Sequence, residues 1–299
     1  HISKPEIDLS EDVSLYDDSV YVRAQENFER FIEEGVLRPD DEPGLYLYTL
    51  VMGGREQTGL VGCLDIDDYL SDRIKKHELT REDKERDRMR HLDRLSAQIG
   101  LVFTFYREDG SGQPLFKRAL QVVPEVDYIA ADGVRHVLRR VRDRGLIDSF
   151  KALLEPLPLY IADGHHRAAS AVKVGLERRK ANPNHTGEEE YNRFLAVVFP
   201  HDQLEILPYN RVVRDLNGMS ADSFLTELGR LYEIEEAASG KPPKAGMFCM
   251  FLKGRWFLLS PGFSPQGDVV ARLDVSVLQN TVLGPILGIQ DPRKDARID

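Results

Sequence analysis

Cysteine is scarce in this chain. There are two among 299 residues, Cys63 and Cys249, with no C-x-x-C and no metal-ligand spacing. That excludes a disulfide framework and a zinc ribbon, and it fits a reduced, cytoplasmic setting with both thiols buried as small hydrophobes. Long apolar runs are missing as well. None approaches the ~20 residues that a membrane-spanning helix needs, and no signal peptide is visible. The chain opens on His1 rather than methionine, so the natural N-terminus, and with it part of a site, is expected to lie upstream. Positive charge is short too: 40 Lys and Arg against 50 Asp and Glu leave a net charge of −10. This argues against broad nucleic-acid binding. Neither G-x-x-x-x-G-K-S/T, nor G-x-G-x-x-G, nor G-x-S-x-G occurs, so the common NTPase, Rossmann and hydrolase motifs are absent.

A hydrophobic content of 41% and a charged content of 30% are ordinary for a globular protein, and the length allows one large domain or two lobes. Apolar residues at helical spacing (Val20, Ala24, Phe28, Phe31, Ile32) predict a first helix that Gly35 can end. Leu45–Met52 and Thr58–Ile66 read as a hairpin turned by Gly53–Gly54, and Asp127–Ala131 with Val134–Val141 as a second around Asp132–Gly133. Leu101–Tyr106, Tyr191–Phe199 and Leu204–Leu207 read as strands. Leu146–Leu154, Ala221–Tyr232 and Val275–Leu287 read as helices, and Gly246–Leu252 with Trp256–Leu259 as a third hairpin. Strands and helices mix without regular alternation, which predicts an α+β fold of mixed sheets with peripheral helices. The polar, proline-containing stretch 181–190 suggests a lobe boundary, with lobes at 1–190 and 191–299.

The segment that carries most chemical information runs from Leu157 to Ala171. A short apolar strand stops at Asp163–Gly164 and passes at once into an alanine-rich helix. His165, His166 and Arg167 stand where that helix begins. Helix N-termini offer free N–H groups and a partial positive charge, which suits phosphate. Gly164 lets a ligand approach the backbone, and Asp163 either holds Mg²⁺ or caps the helix. The competing reading is an ordinary Asp-Gly turn with histidines on the surface or in the core. Zinc is disfavoured, since adjacent histidines do not readily share one ion. A second segment, Lys75–His91, is dense in charge. H-E-x-x-H fails there because Arg81 takes the place of the second histidine. A helix from Thr80 onward puts Lys84, Arg88 and His91 on one face, which either grips phosphates or is simply solvated; spacing alone favours the second. Met52–Gly53–Gly54–Arg55 is compatible with a phosphate loop and equally with a hairpin turn.

Two segments together, I-K-K-H-E-L-T with the following Lys84, Asp87, Arg88 and His91, and I-A-D-G-H-H-R, resemble the bacterial domain-of-unknown-function family numbered ten-fifteen. That family is similar to the free serine kinases and, more distantly, to the ParB and sulfiredoxin nucleotide-binding fold. The resemblance spans nearly the whole chain. It implies a ParB/sulfiredoxin-like nucleotide-binding core in which Asp163, Gly164, His165, His166 and Arg167, with Arg88 and His91, bind the phosphates of ATP or ADP with Mg²⁺. It also implies a kinase acting on a small-molecule hydroxyl, free L-serine first, with Glu78 taking the hydroxyl proton beside His77. The alternatives are a ParB-like nucleotide switch or chromosome-partition protein without kinase activity, and a noncatalytic fold that kept the turn. The expected partners are nucleotide and a small-molecule substrate, with neither nucleic acid nor membrane.

Overall fold

The computed structural model describes residues 1–78 and 80–299; Leu79, within the I-K-K-H-E-L-T segment, lies outside the described residues. The chain forms two units, His1–Glu205 and Ile206–Asp299. Both mix helices with antiparallel or mixed sheets, so the fold is α+β.

The first unit is built on eight strands: β1 (Leu45–Met52), β2 (Arg55–Asp65), β3 (Ile74–Lys75), β4 (Val102–Tyr106), β5 (Val126–Ile129), β6 (Arg135–Val141), β7 (Leu159–Asp163) and β8 (Arg193–Pro200). They lie in the order β3-β7-β4-β8-β2-β1-β6-β5. The β3–β7 and β4–β8 pairs are parallel and the others antiparallel. The two hairpins expected in this unit form, with positive-φ glycine at each tip (Gly53 and Gly54; Gly133). The glycine pair before Arg55 is therefore a turn, and Arg55 itself reaches the Gln203 carbonyl at 2.9 Å.

Among the described residues six α-helices accompany this sheet: α1 (Asp18–Glu33), α2 (Ile66–Leu70), α3 (Glu82–Leu95), α4 (Gln113–Ala119), α5 (Arg144–Leu154) and α6 (His165–Ala181). Period-2 alternation sends Val102, Ile161, Phe194, Ala196 and Val198 to one face, where they pack with Ala168, Ala171 and Val172 of α6. Leu47, Leu60 and Val141 meet Phe116 of α4 and Phe150 of α5 on the same side. The opposite face holds a smaller cluster of Val61, Val197 and Phe199 with Tyr46, Tyr48, Phe103 and Phe105. α6 is buried nearly all round, through Ala168, Ala169, Ala171, Val172, Val174 and Gly175. Small side chains let it lie between the sheet and α3.

The second unit holds α7 (Ala221–Leu228), the antiparallel strands β9 (Tyr232–Ala237), β10 (Phe248–Leu252) and β11 (Arg255–Pro261) in the order β10-β11-β9, and α8 (Asp274–Leu278). Its core gathers Phe224, Leu228, Tyr232, Leu259, Leu283 and Ile289. Among the described residues no helix is long and apolar enough to cross a membrane.

Several expectations shift. Tyr191–Phe199 was expected to open the second lobe, but β8 pairs with both β2 and β4 in the middle of the large sheet, and the first unit runs to Glu205. Leu204–Leu207 is not a strand; Ile206 is 98% exposed and Leu207 precedes Pro208, which has no N–H to give a ladder. The helix expected through Tyr232 ends at Leu228, and Tyr232–Ala237 is a strand whose glutamates alternate with the inward Tyr232 and Ile234. The helix expected over Val275–Leu287 stops short. After α8 a π-helical turn covers Gln279–Leu283, and Pro285 cannot continue it. Cys63 is exposed and Cys249 half-buried, because alternation along β2 turns Cys63 away from the helix-covered face.

Gly175 marks the closest approach of α6. A Cβ there would collide with the Tyr191 carbonyl oxygen and lie 2.8 Å from Ile66 Cδ1. Helix propensity favours alanine over glycine by ~1 kcal/mol, yet overpacking against a backbone atom costs about 1–3 kcal/mol. Gly175→Ala is therefore expected to lower unfolding free energy by roughly 1–2 kcal/mol, read as a lower urea midpoint; a midpoint at or above that of the parent chain would show that the packing there is loose.

Candidate functional site

The site is organised by one residue. β7 ends at Asp163, α6 begins at His165, and Gly164 between them has φ +91° and ψ +26°. That left-handed conformation is costly for residues with a Cβ. A Cβ at 164 would also stand 2.9 Å from Nε and Nη2 of Arg167. The Ala168 N–H donates to the Gly164 carbonyl at 2.9 Å and starts the helix. The N–H groups before it have no intrahelical acceptor, and no side chain caps them among the described residues.

The three residues expected to bind anions turn out to differ. His165 is only 3% exposed. Its Nδ1 lies 3.4 Å from Glu78 Oε2, and its ring meets that of His77 edge-on at 4.4 Å. Its Nε2 is buried and has no partner among the described residues. Burial pushes this imidazole below its ordinary value, and His77 adds to the effect while Glu78 and Asp163 oppose it. The ring is therefore neutral near pH 7, and an orphaned Nε2 is cheaper as a bare lone pair than as a buried N–H. His166 is spent differently: its Nε2 accepts the Arg81 backbone N–H at 3.1 Å, which assigns the ring proton to Nδ1 and staples α6 to the start of α3.

Arg167 donates from Nη2 to Asp163 Oδ2 at 2.7 Å, with its stem over Gly100 and its guanidinium over Gly164. The side chain stays 40% exposed and that of Asp163 74%. Glu78 is also exposed, so a carboxylate and a guanidinium both face solvent around the same turn.

Behind the turn lies a group not apparent from the sequence. Glu85, 5% exposed, accepts the Thr80 hydroxyl and the Lys173 ammonium, while its backbone carbonyl accepts Ser170 Oγ at 3.1 Å. Burial would raise its carboxyl, but the bonds from Lys173 and Thr80 prevail and hold it low. This pair locks α3 to α6. The one sequence signal for it is Lys173, a lone charge between Val172 and Val174 in an alanine-rich helix.

The face of Lys84, Arg88 and His91 exists but looks elsewhere. Lys84 Nζ reaches Tyr16 Oη at 3.4 Å, and His91 Nε2 donates to the Ile2 carbonyl at 2.9 Å beside Tyr21. This face of α3 meets α1 and the N-terminal segment. Glu85 is level with Ser170, so at 1.5 Å rise per residue Arg88 and His91 stand about 14 and 18 Å along the axis from Gly164. Arg88 is exposed, and His91 is a buried anchor. Of the residues named from sequence, the structure gathers His77, Glu78, Asp163, Gly164, His165, His166 and Arg167, and leaves Arg88 and His91 apart.

Residues 1–276 match the family described as Protein of unknown function (DUF1015). The chain belongs to that family. No curated protein and no solved structure is significantly similar to it. The DUF1015 match takes in the whole first unit, with both segments of the site, and most of the second. Among the described residues of this DUF1015 chain no group of three His, Cys, Asp or Glu side chains is arranged to hold a metal ion.

Burial of two neutral histidines makes stability depend on pH. His91, like His165, is pushed down chiefly by desolvation. An unfolded imidazole titrates near 6.5, so below that pH the unfolded chain binds more protons than the folded one. Their contribution is complete above about pH 6.5 and is lost as the pH falls through that value towards the lower folded ones. Urea midpoints at about pH 7.5 and 5.5 should drop less in the double variant His165→Asn, His91→Gln than in the parent; equal drops would mean that neither ring is held neutral.

Proposed function

We propose that the first unit is a nucleotide-binding core of the ParB/sulfiredoxin kind, and that the protein is a small-molecule kinase carrying phosphate from ATP or ADP to a hydroxyl, free L-serine being the first acceptor to test. The supporting observation is the uncapped N-terminus of α6, entered through a left-handed Gly164 with the Arg167 guanidinium beside it. Backbone N–H groups and one arginine are the elements with which proteins commonly cradle phosphate. Two carboxylates at the turn, Asp163 and Glu78, fit the remaining needs of phosphoryl transfer, which are charge neutralisation and positioning rather than covalent catalysis.

In this reading Arg167 and the first-turn N–H groups take the phosphates. Magnesium keeps several waters and needs only one or two carboxylates besides the phosphates, so Asp163 suits an ion that arrives with the nucleotide rather than a resident one. That ion would neutralise phosphate charge. Glu78 orients the acceptor hydroxyl and takes its proton as the new P–O bond forms and the bond to the leaving nucleotide breaks. His165 and His77 hold the Glu78 end of the site.

Phosphorus NMR with Mg²⁺, ATP or ADP, and L-serine is expected to show phosphoserine. Glu78→Gln should abolish product by about 10²-fold or more while nucleotide still binds. Arg167→Ala should weaken nucleotide binding by about 10-fold or more. Nucleotide binding without any phosphoryl acceptor would favour a nonenzymatic switch, and undiminished turnover in Glu78→Gln would remove that residue from the chemistry.

A further inference from the structure

A cavity lies away from this turn. β4 and β8 run parallel side by side in the sheet, and the segments that leave their carboxyl ends border, with α4, an open cleft of about 320 Å³. Carboxyl ends of adjacent parallel strands are a recurrent place for ligands, and the volume is in the small-molecule range. Phe103 of β4 pairs with Asp163, whereas Glu108 at the cavity lies five residues further on, about 16 Å away at 3.3 Å per residue. The cavity is thus separate from the α6 N-terminus.

Its wall is preorganised. The buried Glu108 accepts the Gly110 and Gly112 N–H groups at 2.6 and 3.1 Å and the Tyr106 hydroxyl, and its own N–H donates to His201 Nδ1 at 3.0 Å. Gly112 has no room for a Cβ against Glu108 and Tyr106. This keeps the loop between β4 and α4 in one conformation. Phe116, Leu120 and Pro200 supply apolar lining. Lys117 and Asp202 also line the cavity, and among the described residues no ion pair or side-chain hydrogen bond engages either one. A lysine and an aspartate that face one cavity without pairing leave it a positive and a negative pole beside an apolar wall.

We propose that this cavity is a binding site for an α-amino acid with an apolar side chain: ammonium towards Asp202, carboxylate towards Lys117, side chain against Phe116, Leu120 and Pro200. The site is independent of the phosphate-binding reading, because none of its residues belongs to the turn. Calorimetric titration of the full chain with L-leucine is expected to show saturable one-site binding. Asp202→Asn and Lys117→Ala, both substitutions of exposed side chains, should each weaken it about tenfold, which is 1.4 kcal/mol. Isoamylamine, which lacks the carboxylate, should be sensitive to Asp202→Asn and indifferent to Lys117→Ala. Arg167→Ala should leave leucine binding unchanged. No saturation by leucine or phenylalanine up to about 5 mM, a range that covers millimolar affinities, would overturn the proposal. So would affinity unaltered in both cavity variants, or affinity lost in Arg167→Ala instead.

Discussion

Much of the first unit hangs on the junction in which a strand becomes a helix across one residue. Gly164 can occupy a positive φ that a residue with a Cβ resists, and that single torsion aims α6 back over the sheet. Once α6 is so aimed, Ala168, Ala171 and Val172 meet the inward faces of β4, β7 and β8. α3 then finds its place by docking on α6 through Glu85, Lys173 and Ser170. α1 follows by docking on α3, where Tyr21 donates to Asp87 at 2.8 Å. The same torsion leaves the first-turn N–H groups of α6 uncapped at the end of β7. Fold and candidate site thus share one cause.

The charges around that junction are sorted by burial. A buried carboxylate is costly unless it is fully bonded, and Glu85 is bonded by Thr80 and Lys173. A buried imidazole avoids the cost by staying neutral, as His165 does. Glu78, Asp163 and Arg167 stay accessible at the turn. The two histidines therefore act as scaffolding. His166 joins α6 to the start of α3 through the Arg81 N–H, and His165 brings its Nδ1 towards Glu78.

The strand–turn–helix at 159–181 was legible in the sequence because three local signals agreed: an apolar run, an Asp-Gly pair and an alanine-rich tract. Hairpins at Gly53–Gly54 and Asp132–Gly133 were legible for the same reason. The strand Tyr232–Ala237 was hidden by its glutamates, which are poor strand formers; pairing with β11 and the inward Tyr232 and Ile234 explain it. The orientation of α3 was not legible either. Its charged residues fill every face, so spacing placed Lys84, Arg88 and His91 together without saying what they face. The most conspicuous cations of the segment are these three, whereas the contact that sets the helix is the buried Glu85. Sequence distance hides such a pair: Glu85 and Lys173 are 88 residues apart. The place of β8 at the sheet centre was hidden likewise, since strand order is a long-range property and the polar stretch before it looked like a domain border.

The Arg167–Asp163 pair bears on how an anion would enter. Both side chains are substantially exposed, and exposed ion pairs are worth about 0–1 kcal/mol. Asp163 is therefore a weak competitor for the guanidinium. A phosphate at the α6 N-terminus would meet the guanidinium and the unpaired N–H groups together, and charge-assisted bonds of that kind are roughly twice as strong as neutral ones. The glycines under the guanidinium, Gly100 and Gly164, remove the side chains that would otherwise lift it off the turn. Under the proposed function, Asp163 holds Arg167 over the turn at little energetic cost, the arginine meets the arriving phosphate, and the carboxylate it releases would serve a magnesium ion bound to that phosphate.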